Sequence, residues 1–237
     1  MNTNRLPLGT MLSTIFLVAG ACIGGGMLAL PTGTGVLGFL PSIVMMVITW
    51  FFMTLSGLFI LEVNIWLKND AHIITMASTF LGRWGKAMAW ILYLFIGYAS
   101  LVSYTSGGGA QIQQMFEYFS GITIQRWVGS CICTLLFGWT IFIGRKTVGR
   151  VNTILFIAML ASYALLIVSG TKHIHLSFLT HRVWGHAPIA APLLLTAFSF
   201  HSIIPSLTPA LNYNAKQLRF CIIAGTSLSL VIYFIWQ

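Results

Sequence analysis

The sequence predicts an all-α integral membrane bundle, and three observations predict it. Of 237 residues, 57% are apolar and only 6% charged, and mean hydropathy is +0.90; a soluble domain carries about 25% charged residues. Residues 6–61 contain no charge at all, well over twice the ~20 apolar residues that one helical crossing needs. Further apolar runs recur to the C-terminus, so the length is used up by about seven crossings, with nothing left for a soluble domain. Three acidic residues, Glu62, Asp70 and Glu117, are too few for paired acid/base catalysis or a hard-metal cage. The net charge of +9 is scattered singly between apolar runs and forms no phosphate-binding block, so no nucleic-acid partner is expected.

Each element follows in order, within a single transmembrane domain over 1–237. The charge-free stretch holds span 1 at 10–34 and span 2 at 41–67, joined by a turn in the Gly/Pro-rich 33–41. The first run is longer than a signal-peptide core and a second span follows directly, so it reads as a retained helix. A charged loop with Lys68, Asp70, Arg83 and Lys86 leads to span 3 at 87–117, long enough to imply tilt. Span 4 is expected at 127–143, a basic loop with Arg145, Lys146 and Arg150 comes next, and span 5 covers 152–169. The longest outer loop, 170–187, holds four of the six histidines. Span 6 lies at 188–208, a polar loop carries Lys216 and Arg219, and span 7 fills 220–236.

Orientation comes from the basic residues. With the N-terminus cytoplasmic, Arg5, Lys68, Arg83, Lys86, Arg145, Lys146, Arg150, Lys216 and Arg219 fall inside and only Arg126, Lys172 and Arg182 outside, as the positive-inside rule requires. Trp66, Trp84, Trp127 and Trp184 sit near span ends, where amphipathic rings favour the headgroup region. The four cysteines (Cys22, Cys131, Cys133, Cys221) all fall in apolar runs, which gives neither a disulfide framework nor a zinc site.

Two spans look interrupted. Span 1 reads Ile23-Gly24-Gly25-Gly26-Met27-Leu28-Ala29-Leu30-Pro31; each glycine weakens a helix and the proline removes a donor. Unwound backbone at membrane depth is tolerated only against protein or a water-filled cavity. Residues 24–27 are therefore expected to be non-helical, their amides and a half-helix N-terminus offered to a carboxylate. The competing reading is close helix packing on a glycine face. Span 6 carries Phe198-Ser199-Phe200-His201-Ser202-Ile203-Ile204-Pro205-Ser206, a second interruption with an ionisable residue in mid-span. Two such breaks point to a secondary transporter built from inverted repeats five spans long. His201 then serves a proton or a substrate, or else is a neutral histidine bonded to a carbonyl that Pro205 frees.

Other candidates are weaker. Tyr93, Gly97, Ser100, Tyr104, Gly107 and Gln111 recur every three or four residues, one helical stripe. It is expected to face the bundle interior, with Tyr104 offering its phenol either to a carboxylate or to a neighbouring helix. Glu62, the one acid inside a span, lies within two turns of Lys68 and reads as a gate or interfacial ion pair, or as a buried proton carrier. His173 and His175 flank a single residue beside Lys172 without Cys, Asp or Glu neighbours, and read as a solvated loop.

These motifs resemble the hydroxy and aromatic amino acid permease family, its tyrosine- and tryptophan-specific transporters, within the amino acid/polyamine/organocation superfamily. The segments that carry the resemblance are Gly24 to Pro31, Ser106-Gly107-Gly108-Gly109, and Phe198 to Ser206. The resemblance implies a leucine-transporter-like fold of two inverted five-helix repeats. It also implies proton-coupled symport of an aromatic amino acid, tyrosine foremost, across the bacterial inner membrane, without a cofactor. The implied substrate site is Ile23, Gly24, Gly25, Gly26, Met27, Tyr104, Phe198, Ser199 and His201, with His201 and Glu62 as proton-coupling candidates. Family members commonly read Gly-Ala-Gly-Met and Phe-Gly-Phe-His where this chain has Gly24-Gly25-Gly26-Met27 and Phe198-Ser199-Phe200-His201, so Ser199 adds bulk to the pocket. The family has about eleven spans. Seven are expected here, a complete first repeat and two helices of the second, so a truncated form is expected, with a second chain as the candidate for completing the bundle. The alternative is a non-transporting membrane subunit or inactive remnant. A membrane-embedded enzyme is disfavoured, because His-Glu-x-x-His, Gly-x-Ser-x-Gly and an intramembrane carboxylate pair are all missing from the sequence.

Overall fold

In lipid a backbone must satisfy its own polar groups, which leaves an apolar chain of this kind the helix or a closed barrel. The computed structural model describes residues 8–23, 26–67, 71–170 and 180–237, and those residues form helices and no strand. Five runs are long and apolar enough to cross a membrane: Phe39–Leu67, Ile73–Ser120, Arg126–Ile143, Trp184–Ala210 and Ala215–Trp236. The apolar helix Leu8–Cys22 is shorter. The chain divides into two compact units, residues 1–89 with 175–237, and residues 90–174.

In the first unit, α1 (Leu8–Cys22) stops and α2 (Gly26–Thr34) resumes the same apolar run. The helix is thus interrupted at Ile23, as the glycine triplet predicts, but Gly26 and Met27 already belong to α2. The expectation of a non-helical 24–27 is corrected there: Gly26 needs no donor partner in a first turn, so a glycine is cheap at that position. Gly24 and Gly25 lie outside the described residues. A short 3₁₀ turn, Gly35–Leu37, leads to Gly38 at φ +86°. There a Cβ would strike the His181 carbonyl, so both the dihedral and the close approach demand glycine. The Val183 amide donates to the Leu37 carbonyl at 2.8 Å, tying the segment before the second break to this turn.

The long helix α3 (Phe39–Leu67) carries Pro41 in its first turn, where a missing amide costs nothing. The helix α4 (Ile73–Ser120) begins earlier than the span expected at 87, with Arg83 and Lys86 on the helix rather than in a loop. Gly82, at φ +66° and ψ −155°, breaks its regular path without ending it. Likewise the basic residues expected in loops at 145–150 and 216–219 lie in the first turns of α6 (Arg145–Gly170) and of α9 (Ala215–Trp236). Hydrophobicity marks where a helix can meet hydrocarbon, whereas hydrogen bonding decides where it ends, and these helices continue past their apolar cores.

The run expected as span 6 is broken once, between Ala197 and Ile204. A 3₁₀ turn (Trp184–His186) enters α7 (Ala187–Ala197), which ends before Phe198; a second turn, His201–Ile203, enters α8 (Ile204–Ala210). Pro192, Pro205 and Pro209 punctuate this run. After α8 the chain reverses through Asn212 and Tyr213, both at positive φ, with the Tyr213 amide donating to the Thr208 carbonyl at 2.9 Å. The Asn214 side chain then accepts from the Gln217 amide at 3.2 Å and caps α9.

The core of this unit gathers Val18, Cys22, Leu61, Phe200, Ile204, Leu207, Leu211, Leu218, Cys221 and Ile222 around α9. Helices in lipid gain little from the hydrophobic effect against one another, so close packing must hold them. Helices α1 and α9 approach closely at Gly225 of α9, where a Cβ would lie 2.7 Å from Val18 Cβ and 2.8 Å from the Ile15 carbonyl oxygen. In the second unit, α5 (Arg126–Ile143) packs on α6 and crosses residues 108–109 of α4. There Gly129 abuts the Gly109 backbone, and a Cβ on Gly108 would sit 2.5 Å from Cys133 Sγ.

Gly225→Ala should therefore lower the stability of the detergent-solubilised chain by about 1–3 kcal/mol, the scale of overpacking. Gly20→Ala, with nothing within 4 Å of the new Cβ, should leave it equal or slightly raised. Thermal unfolding followed by far-UV circular dichroism distinguishes the two; equal effects would contradict the packing described.

Candidate functional site

The two breaks converge on one side chain. An interrupted helix strands its last carbonyls, and in an apolar surrounding each needs a donor. The Cys22 carbonyl at the end of α1 and the Ala197 carbonyl at the end of α7 both accept from the phenol of Tyr233, at 2.6 and 2.9 Å. Tyr233 is fully buried, and its single proton is shared between the two acceptors. The ring of Phe198 meets the Tyr233 ring edge-on at 5.2 Å, a favoured aromatic geometry. Cys22, Ile23, Ala197, Phe198 and Tyr233 are all buried, while Ser199 is exposed.

Each break also closes locally. The Ile23 amide donates to the Ala19 carbonyl at 2.9 Å, the last turn of α1. On the other run, the Phe198 amide donates to Leu194 and the Ser199 amide to Thr196, both at 3.2 Å, before the Ile203 amide reaches Phe200 at 3.1 Å. Between those two sets the chain is neither α-helical nor extended, which turns consecutive side chains outward and inward: Phe198 and Phe200 are buried, Ser199 and Ser202 exposed. The Phe200 ring lies over Gly57 of α3, whose missing side chain makes the space.

His201 stands at the rim of the second break. Its Nε2 lies 2.8 Å from Ser56 Oγ, and its ring stacks on Phe200 at 4.8 Å. Ser56 donates in turn to the Met53 carbonyl at 3.0 Å, so its oxygen is placed to accept from the imidazole. The partner of His201 is thus a hydroxyl of α3 rather than a backbone carbonyl released by Pro205. Glu62 pairs with Arg219 of α9, Oε1 to the guanidinium at 2.5 Å. Lys68, its expected neighbour, lies outside the described residues, as do His173 and His175. Half-exposed on both sides, this pair sits at the end of α3 and the start of α9.

Tyr104 belongs to the second unit and is 64% exposed, with Tyr93 of the same stripe 50% exposed. Gly97 and Gly107 have open space where a Cβ would stand. The expected inward face of α4 is therefore not the packed one. Packing falls on Gly108 and Gly109, about a third of a turn away from the stripe, because only there is the backbone approached by α5. The Ser106-Gly107-Gly108-Gly109 motif thus has a helix-crossing role in this unit. Residues that sequence reasoning did not single out are Tyr233, Ser229 and Ser56. A spacing of four through Cys221, Gly225, Ser229 and Tyr233 was the available signal, since it makes one small and polar face on the last helix.

Below the second break, Asn64 and Thr208 fix α8 to α3. Both are buried; Thr208 donates to Asn64 Oδ1 at 2.6 Å and Asn64 Nδ2 donates to the Ala71 carbonyl at 2.7 Å.

The tryptophan/tyrosine permease family model matches residues 9–237. The chain is 35% identical to tyrosine-specific transport system 1 of Haemophilus influenzae over 93% of its own length and 55% of that protein's. It is 33% identical to the tryptophan-specific transport protein of the same organism, over 96% of this chain and 57% of the relative. A tyrosine permease of Enterobacter agglomerans is 28% identical over 96% of this chain and 57% of its own. These relatives carry the names of transport proteins and permeases, not of enzymes. The chain spans about half the length of the curated relatives it matches. No solved structure gives a significant match.

Thr208→Val keeps shape and removes the donor, leaving Asn64 Oδ1 buried without its partner, and should cost about 1–3 kcal/mol. Denaturant unfolding in detergent checks it, with Thr140→Val, at an exposed threonine bonded only within its own helix, expected to change stability by less than about 0.5 kcal/mol.

Proposed function

Because the chain belongs to the tryptophan/tyrosine permease family, we propose that it takes part in aromatic amino acid transport, with tyrosine as substrate and a proton as the coupled ion, across the bacterial inner membrane. The observation that carries this reading is the pair of interrupted helices whose ends meet on Tyr233. Helix interruption strands amides as well as carbonyls, and a helix N-terminus such as that of α2 (Gly26–Thr34) offers first-turn donors that have no acceptor within the helix, and the positive end of a helix dipole. A substrate carboxylate is the group such a terminus accepts. In this reading Gly24, Gly25, Gly26 and Met27 hold the carboxylate through backbone donors, with Ile23, whose amide already donates to Ala19, at the edge of the site. Phe198, Ser199 and His201 shape the side-chain end.

The proposed topology has seven crossings with the N-terminus cytoplasmic, the broken segments being spans 1 and 6, related as first helices of two inverted repeats. In that arrangement His201 is the proton-coupling candidate, since imidazole is the side chain that can take up and release a proton nearest neutral pH and its Ser56 partner can accept from either protonation state. Glu62 is already held by Arg219, so the proposal gives it an interfacial ion-pair role ahead of proton coupling. The substrate class draws on relatives named for tyrosine and for tryptophan. Since the chain spans about half their length, a second copy or a further chain that completes the bundle is part of the proposal.

Two experiments test it. Equilibrium binding of labelled tyrosine to the purified chain should be saturable and should disappear in Gly25→Val, whose side chain would occupy the carboxylate position, while membrane insertion is unchanged; retained binding in that variant would move the site elsewhere. In liposomes with an imposed proton gradient, His201→Ala should lower tyrosine uptake and alter its pH profile. The comparison is made in the chain itself and in a fusion to the C-terminal half of a relative. An unchanged profile would leave His201 a structural residue.

A further inference from the structure

We propose that Tyr233 is a positioning residue for the substrate site: its hydroxyl holds the two helix breaks in register, so that they open and close together. The inference rests on the permease reading for its functional consequence, but its structural part stands on the geometry of α9 alone.

That geometry is a ladder. Along α9, Cys221, Gly225, Ser229 and Tyr233 recur every four residues and face successive carbonyls of α1. Cys221 Sγ reaches the Met11 carbonyl at 3.7 Å, Gly225 admits Ile15 and Val18, Ser229 Oγ reaches the Ala19 carbonyl at 3.3 Å, and Tyr233 reaches Cys22 at 2.6 Å. The hydrogen bonds of Cys221 and Ser229 and the close approach at Gly225 are all to α1 or within α9. The fourth differs, because the same oxygen also reaches Ala197 at 2.9 Å, the end of α7.

A phenol has one proton, so neither bond is at full strength and each depends on the other's distance. Movement of either half-helix away from α9 turns the O–H toward the remaining acceptor and leaves a buried carbonyl without a donor, at an energetic cost. Phe198, edge-on to the same ring, resists rotation of the phenol away from its acceptors. Displacement of the phenol deprives both carbonyls of their donor at once, so the two breaks lose this support together. A substrate bound between them would meet carboxylate donors and side-chain contacts already in register.

The test is Tyr233→Phe, which keeps the ring and its Phe198 contact and removes only the hydroxyl. Backbone hydrogen exchange by mass spectrometry on the detergent-solubilised chain should show amides at Ile23 and at Phe198–Ser199 exchanging about tenfold faster, the scale of one lost buried hydrogen bond. Amides of Ser42 and Leu218, bonded to Gly38 and Asn214, should be unchanged. Acceleration at one break only, at neither, or throughout the unit would overturn the proposal. Should the variant fail to fold, the unsubstituted chain gives the answer: under mild denaturant the two breaks should share one opening transition, and separate midpoints would overturn the tie. Tyrosine affinity, measured in the same variant, should fall about tenfold. Absence of tyrosine binding by the unsubstituted chain would count against the permease reading, while the exchange pattern would still decide the role of Tyr233.

Discussion

The structure depends on how two interrupted helices keep their orphaned carbonyls satisfied in an apolar setting. A helix that stops in mid-membrane exposes acceptors that neither lipid nor a hydrocarbon side chain can serve. Here a single buried phenol supplies both ends, reaching Cys22 and Ala197. Each interrupted helix thus keeps its last carbonyl paired, and α7 can end before Phe198 without orphaning the Ala197 acceptor. Without such a donor the sequence pattern of glycine and proline would favour collapse of the breaks into distorted helix.

The helix that carries the phenol is the spine of its unit. Its Gly225 lets α1 approach to backbone distance, and its Thr226 hydroxyl meets both Trp50 Nε1 and Thr54 Oγ1 of α3, at 3.2 and 3.1 Å. Arg219 pairs with Glu62 at one end, and at the other Gln237 Oε1 accepts from Thr34 at 2.7 Å. A membrane helix with so little charge gains its specificity from such short polar contacts, because apolar packing alone does not distinguish a partner helix from lipid. Two features argue that the arrangement serves a site as well as stability. The breaks lie in two runs far apart in sequence, and their exposed polar groups, Ser199, Ser202 and the half-buried His201 with Ser56, line the rim of the second break.

Much of this was legible beforehand. Composition alone gave a helical membrane protein, and the glycine triplet and the Phe198 to Ser206 segment marked the interruptions, because those residues act locally on helix propensity. Helix ends were less legible: Arg83, Lys86, Lys216 and Arg219 sit in helices that run on beyond their apolar cores, a matter of hydrogen bonding rather than hydropathy. Partners were least legible of all. Glu62 has Lys68 close by in sequence, but the guanidinium that pairs with it comes from Arg219, 157 positions away. Tyr104 drew attention by its stripe, yet the packed face of α4 is the adjacent one at Gly108 and Gly109. Tyr233 passed as one more aromatic in a terminal span, since only the tertiary fold brings its hydroxyl to two chain breaks. Its four-residue spacing from Ser229 and Gly225 was present in the sequence, but spacing names a face and not what lies opposite.

The measurement that bears most directly on this account is hydrogen exchange across the first break during a tyrosine titration of the purified chain. If the interrupted backbone receives the substrate carboxylate, amides from Ile23 through Met27 become protected saturably, and those at Phe198 and Ser199 follow with the same half-saturation. Saturable tyrosine binding that protects neither segment would contradict the account and move the site away from the helix breaks.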